Sequence, residues 1–231
     1  MKILALDSSG LVASVAVVED DILVAEYTVN YKKTHSQTLL PMLQAVKDVI
    51  DLDLSSVDAI AVAAGPGSFT GLRIGSATAK GLGLAMECPI VEVPTLEGLA
   101  YNLFGTEKIV CPLMDARRNQ VYTGLYEFNG DLHVLKDQCA VSLSEILQEI
   151  NRLGREVIFL GDGVPVYKEQ ILKEISVPLS FAPAHMNRQR AGAVAALGEK
   201  YLKEGRQVSA TEHQPIYLRL SQAERERMEH E

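Results

Sequence analysis

The sequence of 231 residues contains few cysteines, and its lysines and arginines are outnumbered by its acidic residues. Its three cysteines, Cys88, Cys111 and Cys139, are odd in number and far apart, which indicates reduced core thiols and disfavours a disulfide framework or a cysteine metal cluster. A formal net charge of −8 disfavours direct binding to a nucleic-acid backbone, because such binding needs clustered lysine and arginine. Any contact with RNA should therefore come through a partner.

The sequence also lacks long hydrophobic runs. Its first residues reach an acid at Asp7 after a short apolar stretch, so they predict neither a signal peptide nor a membrane span. We therefore expect a cytoplasmic protein that does not associate with membranes. The content of 47% hydrophobic and 23% charged residues is typical of a globular chain that can bury a large core.

The order of predicted elements repeats once along the chain. A meander of three strand-like runs opens each half, at 2–29 and at 109–141, and helices and further strands follow each meander. This order predicts an α/β protein with a mixed sheet in each of two units. We place the units at residues 1–105 and 106–231, and we expect that the C-terminal segment can pack back on the first unit.

The most informative motif is a loop at residues 65–75, with the sequence Gly-Pro-Gly-Ser-Phe-Thr-Gly-Leu-Arg-Ile-Gly. It joins an apolar strand to a helix. Gly65 and Gly67 permit positive φ and close backbone approach, and Ser68 or Thr70 can accept hydrogen bonds from the first amides of the helix. Such a helix start can hold an anion. An ordinary strand-to-helix connection is the alternative interpretation.

Two helices are predicted, one before and one after that strand along the chain. The first, at 34–50, has apolar residues at helical spacing, with Thr34 and Gln37 placed for a capping box and Pro41 expected to kink or delay the helix. Glycine costs about 1 kcal/mol inside a helix, so a glycine stripe predicts close packing by another element. The second helix, at 70–85, carries such a stripe of small residues at intervals of four positions, formed by Gly71, Gly75, Ala79 and Gly83.

Catalytic constellations are missing from the sequence. The histidines are scattered, at His35, His133, His185, His213 and His230. This scatter disfavours a histidine metal site, and His35 is better explained as a helix-start or interface residue. Ser68 does not fit a nucleophile elbow, because the second glycine comes one residue late. We therefore expect neither a catalytic residue nor a metal site in this chain.

A charged hairpin turn is predicted at the edge of the second unit. Asp115 ends one strand, and the next strand begins near Gln120. Arg117 and Arg118 lie between them, where they can contact a phosphate or a partner, and the sequence leaves open whether that ligand is tRNA or a nucleotide. A solvated tip without a ligand is the alternative.

These motifs resemble those of the TsaB family over nearly the whole chain, and the 65–75 loop is the most specific of them. The other matching segments are 4–9 (Leu-Ala-Leu-Asp-Ser-Ser), 35–41, 94–100 (Pro-Thr-Leu-Glu-Gly-Leu-Ala), the Asp115 turn, 161–163 (Gly-Asp-Gly) and 215–219 (Pro-Ile-Tyr-Leu-Arg). The resemblance implies a duplicated, ribonuclease H-like fold of the actin-like ATPase and sugar-kinase type, with two subdomains and mixed sheets.

The resemblance also implies a function without catalysis. The chain would be an activator or scaffold subunit of a TsaB-TsaD-TsaE complex that installs threonylcarbamoyl on N6 of adenosine 37 in tRNAs reading codons that start with A. It would form a heterodimer with TsaD, be joined by the ATPase TsaE, form a homodimer when alone, and contact tRNA only through the complex. ATP and metal are expected on the partner subunits. A stand-alone actin-fold ATPase or kinase is the alternative, and a glycoprotease is less favoured.

Two sets of site residues follow from this resemblance. A vestigial phosphate-binding turn would involve Asp7, Ser8, Ser9, Gly161, Asp162 and Gly163, although Ser9 stands where glycine is usual and Asp7 capping its own turn is favoured over an ATP site. We further hypothesise that the two helices form a four-helix interface with TsaD and that Gly75→Leu abolishes the heterodimer without unfolding the monomer; packing of the helices in the chain's own core is the alternative. The predicted interface residues are His35, Leu39, Leu43, Val46, Thr70, Gly71, Arg73, Ile74, Gly75, Ala79 and Gly83.

Overall fold

Two five-stranded sheets with the same strand order organise the chain. The computed structural model describes residues 1–31 and 34–219. The first sheet has the order β3-β2-β1-β4-β5 and consists of β1 (Lys2–Asp7), β2 (Val12–Glu19), β3 (Ile22–Asn30), β4 (Ala59–Gly65) and β5 (Ile90–Pro94). The second has the order β8-β7-β6-β9-β10 and consists of β6 (Ile109–Asp115), β7 (Gln120–Phe128), β8 (Leu132–Ser142), β9 (Val157–Leu160) and β10 (Leu179–Phe181).

The strand pairings of the two sheets are equivalent. In each sheet the three meander strands are antiparallel, and the two later strands add in parallel beside the first strand. The predicted duplication of an α/β unit with a mixed sheet is therefore confirmed, although no repeat is visible residue by residue.

Six α-helices cover these sheets within the part of the chain that the structure describes. Their bounds are α1 (His35–Val49), α2 (Phe69–Met86), α3 (Thr95–Tyr101), α4 (Leu143–Leu153), α5 (Gly163–Glu174) and α6 (Ala191–Lys203). The bounds of α1 and α2 agree with the helices predicted at 34–50 and 70–85 to within one residue at each end. The sequence interpretation missed α3, α5 and β10, all of which are short or carry a weak apolar pattern.

The central strand β1 is covered on both faces because its residues 3–6 are all apolar. Leu4 and Leu6 of β1 face α1 and α2, whereas Ile3 and Ala5 face α6. Successive side chains of a strand point to opposite faces, so this central strand reads as a continuous apolar run. The run Lys2–Asp7 therefore predicts a covered strand, as the structure shows.

The two units exchange helices. Helix α6 follows the second sheet in the chain, but Val194 and Leu197 pack on the first sheet. Helix α3 belongs to the first half, but Leu96 and Leu99 pack on residues of the second sheet. The predicted boundary at residue 105 thus separates the strands of the two sheets along the chain, but a helix from each side of it packs on the sheet of the other unit.

The last described segment, residues 208–219, returns to the first unit, and we call it the C-terminal strap. Val208 forms two backbone hydrogen bonds with Ile90 on β5, both 2.9 Å long. Farther along, His213 Nδ1 lies 2.6 Å from Glu92 Oε1, and the amide of Ile216 donates to Ala64 O at 2.7 Å. The strap therefore covers the β5 edge of the first sheet.

The ends of two helices differ in how they are capped. The capping box predicted at Thr34 is absent: its side chain makes no capping bond, and the amide of Gln37 bonds to the carbonyl of Thr34 at 2.9 Å. Pro41 lies within α1 and does not delay its start. By contrast, Ser142 and Glu145 form a complete capping box at α4.

The hydroxyl of Tyr126 gives a test of this packing. Tyr126 is fully buried, and its hydroxyl has no hydrogen-bond partner among the described residues. Tyr126→Phe removes an unpaired polar group and keeps the ring, so we expect the free energy of unfolding in urea to rise by about 1 kcal/mol. Tyr201→Phe is the matched control, because the Tyr201 hydroxyl donates to Glu97 and its loss should destabilise the chain. Destabilisation by Tyr126→Phe would contradict this account.

Candidate functional site: the cleft and the outer helix face

Four of the sequence motifs meet in a cleft between the two units. Its cavity has a volume of about 410 Å³. The residues lining it include Ser9, His35, Gly67, Ser68, Asp115, Arg117, Asp162, Tyr217 and Arg219. The turn after β1, the 65–75 loop, the charged hairpin and the Gly-Asp-Gly turn thus converge, together with the strap.

Asp7 closes the turn that follows β1. It is 2% exposed, and its Oδ1 accepts hydrogen bonds from the amide of Ser9 at 2.9 Å and from Ser9 Oγ at 2.7 Å. Burial raises the pKa of Asp7 to about 6, and the hydrogen bonds from Ser9 oppose that shift. The observed bonds are those of an aspartate that caps its own turn.

The glycines of the loop allow backbone segments to touch. A Cβ on Gly65, whose φ is +127°, would lie 2.1 Å from Ile216 O on the strap. A Cβ on Gly67 would lie 2.3 Å from Ser9 O, and the amide of Ser68 donates to that same oxygen at 2.7 Å. The Ser9 and Ser68 amides therefore already have acceptors within the chain.

The predicted cap of α2 is made by Ser68, whose Oγ accepts a hydrogen bond from the amide of Gly71 at 3.3 Å. Thr70 lies in the first turn of the helix and is exposed. The capping serine thus takes up one of the first amides of α2, which leaves the helix start less free to hold an anion than the sequence suggested.

The glycine stripe of α2 packs inside the chain. A Cβ on Gly71 would lie 2.1 Å from Ser8 O, and one on Gly75 would lie 2.5 Å from Ser8 Oγ. Ala79 is fully buried, and a Cβ on Gly83 would lie 3.0 Å from Ala210 Cβ on the strap. The expectation that Gly75→Leu leaves the monomer folded conflicts with this packing, because a leucine has no room there.

The predicted interface residues of α1 are also mostly buried. Leu39, Leu43 and Val46 belong to the core on the first sheet, and Ile74 of α2 packs against the same core. His35 is half-buried, with Nε2 at 2.8 Å from Gly10 O and no partner for Nδ1 among the described residues. Of the predicted set, Thr70 and Arg73 are exposed on α2.

The exposed residues of the two helices, two of which belong to the predicted set, form what we call the outer face. They include Leu40, Pro41 and Val49 on α1 with Thr70, Arg73, Ala77 and Leu84 on α2. Leu40, Val49 and Leu84 are 55%, 82% and 58% exposed. Thr70 and Arg73 are the members of the predicted interface set that lie on this face, whereas Leu39, Gly75 and the other buried members do not.

The Gly-Asp-Gly turn of the second unit is filled by its own chain. A Cβ on Gly161, whose φ is +107°, would lie 2.1 Å from Leu113 O, and one on Gly163 would lie 3.0 Å from the same oxygen. Asp162 Oδ1 accepts a hydrogen bond from the amide of Asp115 at 3.2 Å, and burial raises the pKa of Asp162. The turn thus supports the end of β6.

The charged hairpin reaches the cleft through Arg117, which lines it. Arg117, Arg118 and Asn119 all have left-handed φ values, between 54° and 64°, and all three are exposed. Asp115 Oδ1 accepts a hydrogen bond from the amide of Arg117 at 2.9 Å. Arg219 of the strap donates to Ala116 O at 2.6 Å, a link between the units that sequence reasoning missed. Its only signal was the Pro-Ile-Tyr-Leu-Arg segment.

Within residues 1–31 and 34–219, no group of three or more His, Cys, Asp or Glu side chains could hold a metal ion. His213 is buried against Glu92, far in sequence from His35, and the hydrogen bond from His213 lowers the pKa of Glu92. Over the same residues, no helix is both long and apolar enough to cross a membrane. His230 lies outside the described residues.

The repeated strand order and the cleft between the units define the class, an α/β protein of the duplicated actin-like ATPase and sugar-kinase fold. The family model described as "TsaD: tRNA N6-adenosine threonylcarbamoyltransferase" matches residues 23–227. The Bacillus subtilis protein named "tRNA threonylcarbamoyladenosine biosynthesis protein TsaB" is 36% identical, covering 97% of this chain and 96% of its own length. The Escherichia coli protein of the same name is 29% identical, covering 95% of each.

A solved structure agrees with these relatives. YeaZ from Pseudomonas aeruginosa superposes with a TM-score of 0.79 at 28% identity, covering 94% of this chain and 99% of its own. The chain belongs to the TsaB family of tRNA threonylcarbamoyladenosine biosynthesis proteins, within the wider family that the TsaD model describes.

Glycine substitutions on α2 test whether the glycine stripe packs inside the chain. Gly71→Ala should lower the free energy of unfolding by about 3 kcal/mol, because its Cβ meets a backbone oxygen. Gly81→Ala, on the same helix, should raise it by about 1 kcal/mol, because a Cβ there has nothing within 4 Å and alanine favours the helix. Urea unfolding measures both, and equal effects would show that the stripe is not packed as described.

Burial of Asp7 predicts a specific dependence on pH. Because the pKa of Asp7 is raised in the native state, protonated Asp7 favours folding. This contribution to the free energy of unfolding is fully present below about pH 4 and is lost progressively as the pH rises through 6. Asp7→Asn removes this ionisation and should stabilise the chain by up to about 3 kcal/mol at pH 8 and hardly at all at pH 4.

Asp53 is the matched control for that measurement. It makes the same bonds to Ser55, at 2.9 Å from the amide and 2.8 Å from Oγ, but it is exposed, and those bonds lower its pKa. Asp53→Asn should therefore lose stability relative to the parent as pH rises above 4. Urea unfolding at pH 4, 6 and 8 compares the two variants. The account of Asp7 fails if both shift in the same direction.

Proposed function

We propose that this chain is a non-catalytic subunit that binds and activates a TsaD-type catalytic subunit in a TsaB-TsaD-TsaE complex. That complex places threonylcarbamoyl on N6 of adenosine 37 in tRNAs that read codons starting with A. The supporting observation is that both phosphate-type turns are filled by the chain itself. The Ser9 amide bonds to Asp7, and the Leu113 carbonyl lies where side chains on Gly161 and Gly163 would project.

The outer face of α1 and α2 supports the binding part of the proposal. Leu40, Val49 and Leu84 expose large apolar side chains on these helices, and Ala77 is a small exposed residue of α2. Exposed apolar surface beside small residues is suited to helices of a partner that approach closely. We propose that TsaD docks on this face, and that a homodimer uses it when TsaD is absent.

The cofactors and tRNA are assigned to the partners. ATP and metal belong to TsaD and TsaE in this proposal, and the chain has no cofactor of its own. Its formal net charge of −8 opposes a direct grip on RNA, so tRNA is contacted through the complex. Arg117 and Arg118 of the charged hairpin are exposed, and we assign them the role of assisting such a contact. We also propose that the chain is cytoplasmic, because that is where this tRNA modification would take place.

Sedimentation and activity test the proposal on the same samples. Analytical ultracentrifugation of the chain with its cognate TsaD should show a heterodimer, and that heterodimer with TsaE should restore threonylcarbamoyl transfer, while the chain alone is inert. The absence of association, or turnover by the chain alone, would overturn it. Isothermal titration with Mg-ATP distinguishes this proposal from a stand-alone ATPase, because a stand-alone ATPase requires that Mg-ATP bind to the isolated chain.

Leu84→Glu locates the docking surface. Leu84 is 58% exposed on α2, so the charge should lower affinity for TsaD at least tenfold without changing the unfolding midpoint. Leu172→Glu on α5 is the control, because Leu172 is 55% exposed on the other unit. Equal affinities of the two variants would place the interface elsewhere.

A further inference from the structure

A small basic pocket lies on the outer side of α2, between that helix and the strap. Its volume is about 400 Å³, and its walls include Arg73, Ser76, Ala77 and Lys80 of α2 with Gln214 and Tyr217 of the strap. The described residues that line it include two cations and no aspartate or glutamate. Positive charge without a counterion in a concave site favours an anionic ligand.

Arg73 is held in place by aromatic side chains. Its guanidinium carbon lies 4.0 Å from the centre of the Phe69 ring, and its Nε donates to the Tyr217 hydroxyl at 3.3 Å. The Phe69 and Tyr217 rings are themselves 5.0 Å apart. The hydrogen bond described for the guanidinium uses Nε, so both Nη groups remain for an external acceptor, in the geometry that suits a carboxylate.

Lys80 stands two helical turns farther along the same side of α2, about 10 Å from Arg73 along the axis. Its Nζ donates to Thr211 O at 3.1 Å and to His213 O at 3.0 Å. Both acceptors are uncharged carbonyls, which orient the ammonium without neutralising it. One of its three donors is left over for a ligand.

Several other cations of this chain lie close to carboxylates. Lys108 lies 2.7 Å from Glu156, and Lys136 lies 2.7 Å from Glu149. With 30 acidic residues against 22 lysines and arginines, the chain has carboxylates to spare. Among the described residues, neither Arg73 nor Lys80 forms an ion pair with a carboxylate, although Glu92 Oε1 accepts a hydrogen bond from the amide of the lining residue Gln214 at 3.3 Å.

We propose that this pocket receives a carboxylate side chain of the partner subunit, bound by the Nη groups of Arg73 and the ammonium of Lys80. The inference rests on the proposed function, because the pocket opens on the outer face where TsaD is proposed to dock. Ala77 and Ser76 keep the space between the two cations free of bulk, so an acidic side chain on a docking helix can reach both.

A protein carboxylate fits the pocket better than a nucleic-acid phosphate. A strand of RNA brings many negative charges near a chain whose formal net charge is −8, and long-range repulsion opposes that approach. A single acidic side chain on an otherwise apolar interface meets only the local positive field. Its burial beside two preordered cations supplies specificity for the partner.

Affinity for the cognate TsaD, measured by isothermal titration at several NaCl concentrations, tests the pocket. Arg73→Met keeps the side-chain stem and should weaken binding at least tenfold, whereas Arg73→Glu should weaken it at least a hundredfold and reduce its dependence on salt. Arg152→Glu is the control, because Arg152 is exposed at the end of α4 and the change in charge is the same. Circular dichroism and the thermal midpoint verify that each variant folds.

The outcomes separate this inference from the proposed function. If the wild-type chain binds TsaD and Arg73→Glu binds as Arg152→Glu does, the pocket assignment is overturned and the proposed function stands. If the wild-type chain does not bind TsaD, both fall. Rescue of Arg73→Glu by an acid-to-lysine change on a TsaD docking helix supports the carboxylate. Binding of inorganic phosphate that is lost in Arg73→Met, with TsaD affinity unchanged, would instead assign the pocket to a free anion.

Discussion

The contact between the turn after β1 and the start of α2 is the constraint on which the rest of the structure depends. Carbonyl oxygens of Ser8 and Ser9 lie where side chains on Gly71 and Gly67 would project, at 2.1 and 2.3 Å from the positions of their Cβ atoms. Only glycine lets the backbones meet so closely. This contact fixes α2 against β1, buries Asp7 in its own turn, and directs Arg73 and the rest of the outer face away from the core.

The same contact explains why the site is suited to binding. The turns that could cradle a phosphate are used to hold the chain together, through Ser9, Ser68 and the Leu113 carbonyl. The strap then crosses from the first unit to the charged hairpin through Arg219. These backbone contacts hold α2 and the strap against the first sheet.

Much of the fold could be predicted because its signals are local. The apolar run of β1 and the capping box at Ser142 are readable from neighbouring residues, and both are present in the structure. The exchange of α3 and α6 between the units could not be predicted, since both helices are apolar enough to cover either sheet. The bond from Arg219 to Ala116 O joins residues 103 positions apart, and the sequence near either residue carries no sign of it.

The sequence by itself determined that α2 has a side without bulk and that another segment packs there, because glycines at intervals of four record how closely something approaches. Only the tertiary structure decided which segment this is. Ser8, 63 positions away from Gly71, occupies the stripe, so the stripe belongs to the chain's own core and the opposite side of the helix is exposed. A periodic pattern of small residues indicates how closely another segment packs. It does not indicate which segment that is, since long-range contacts are set by the packing of the whole chain.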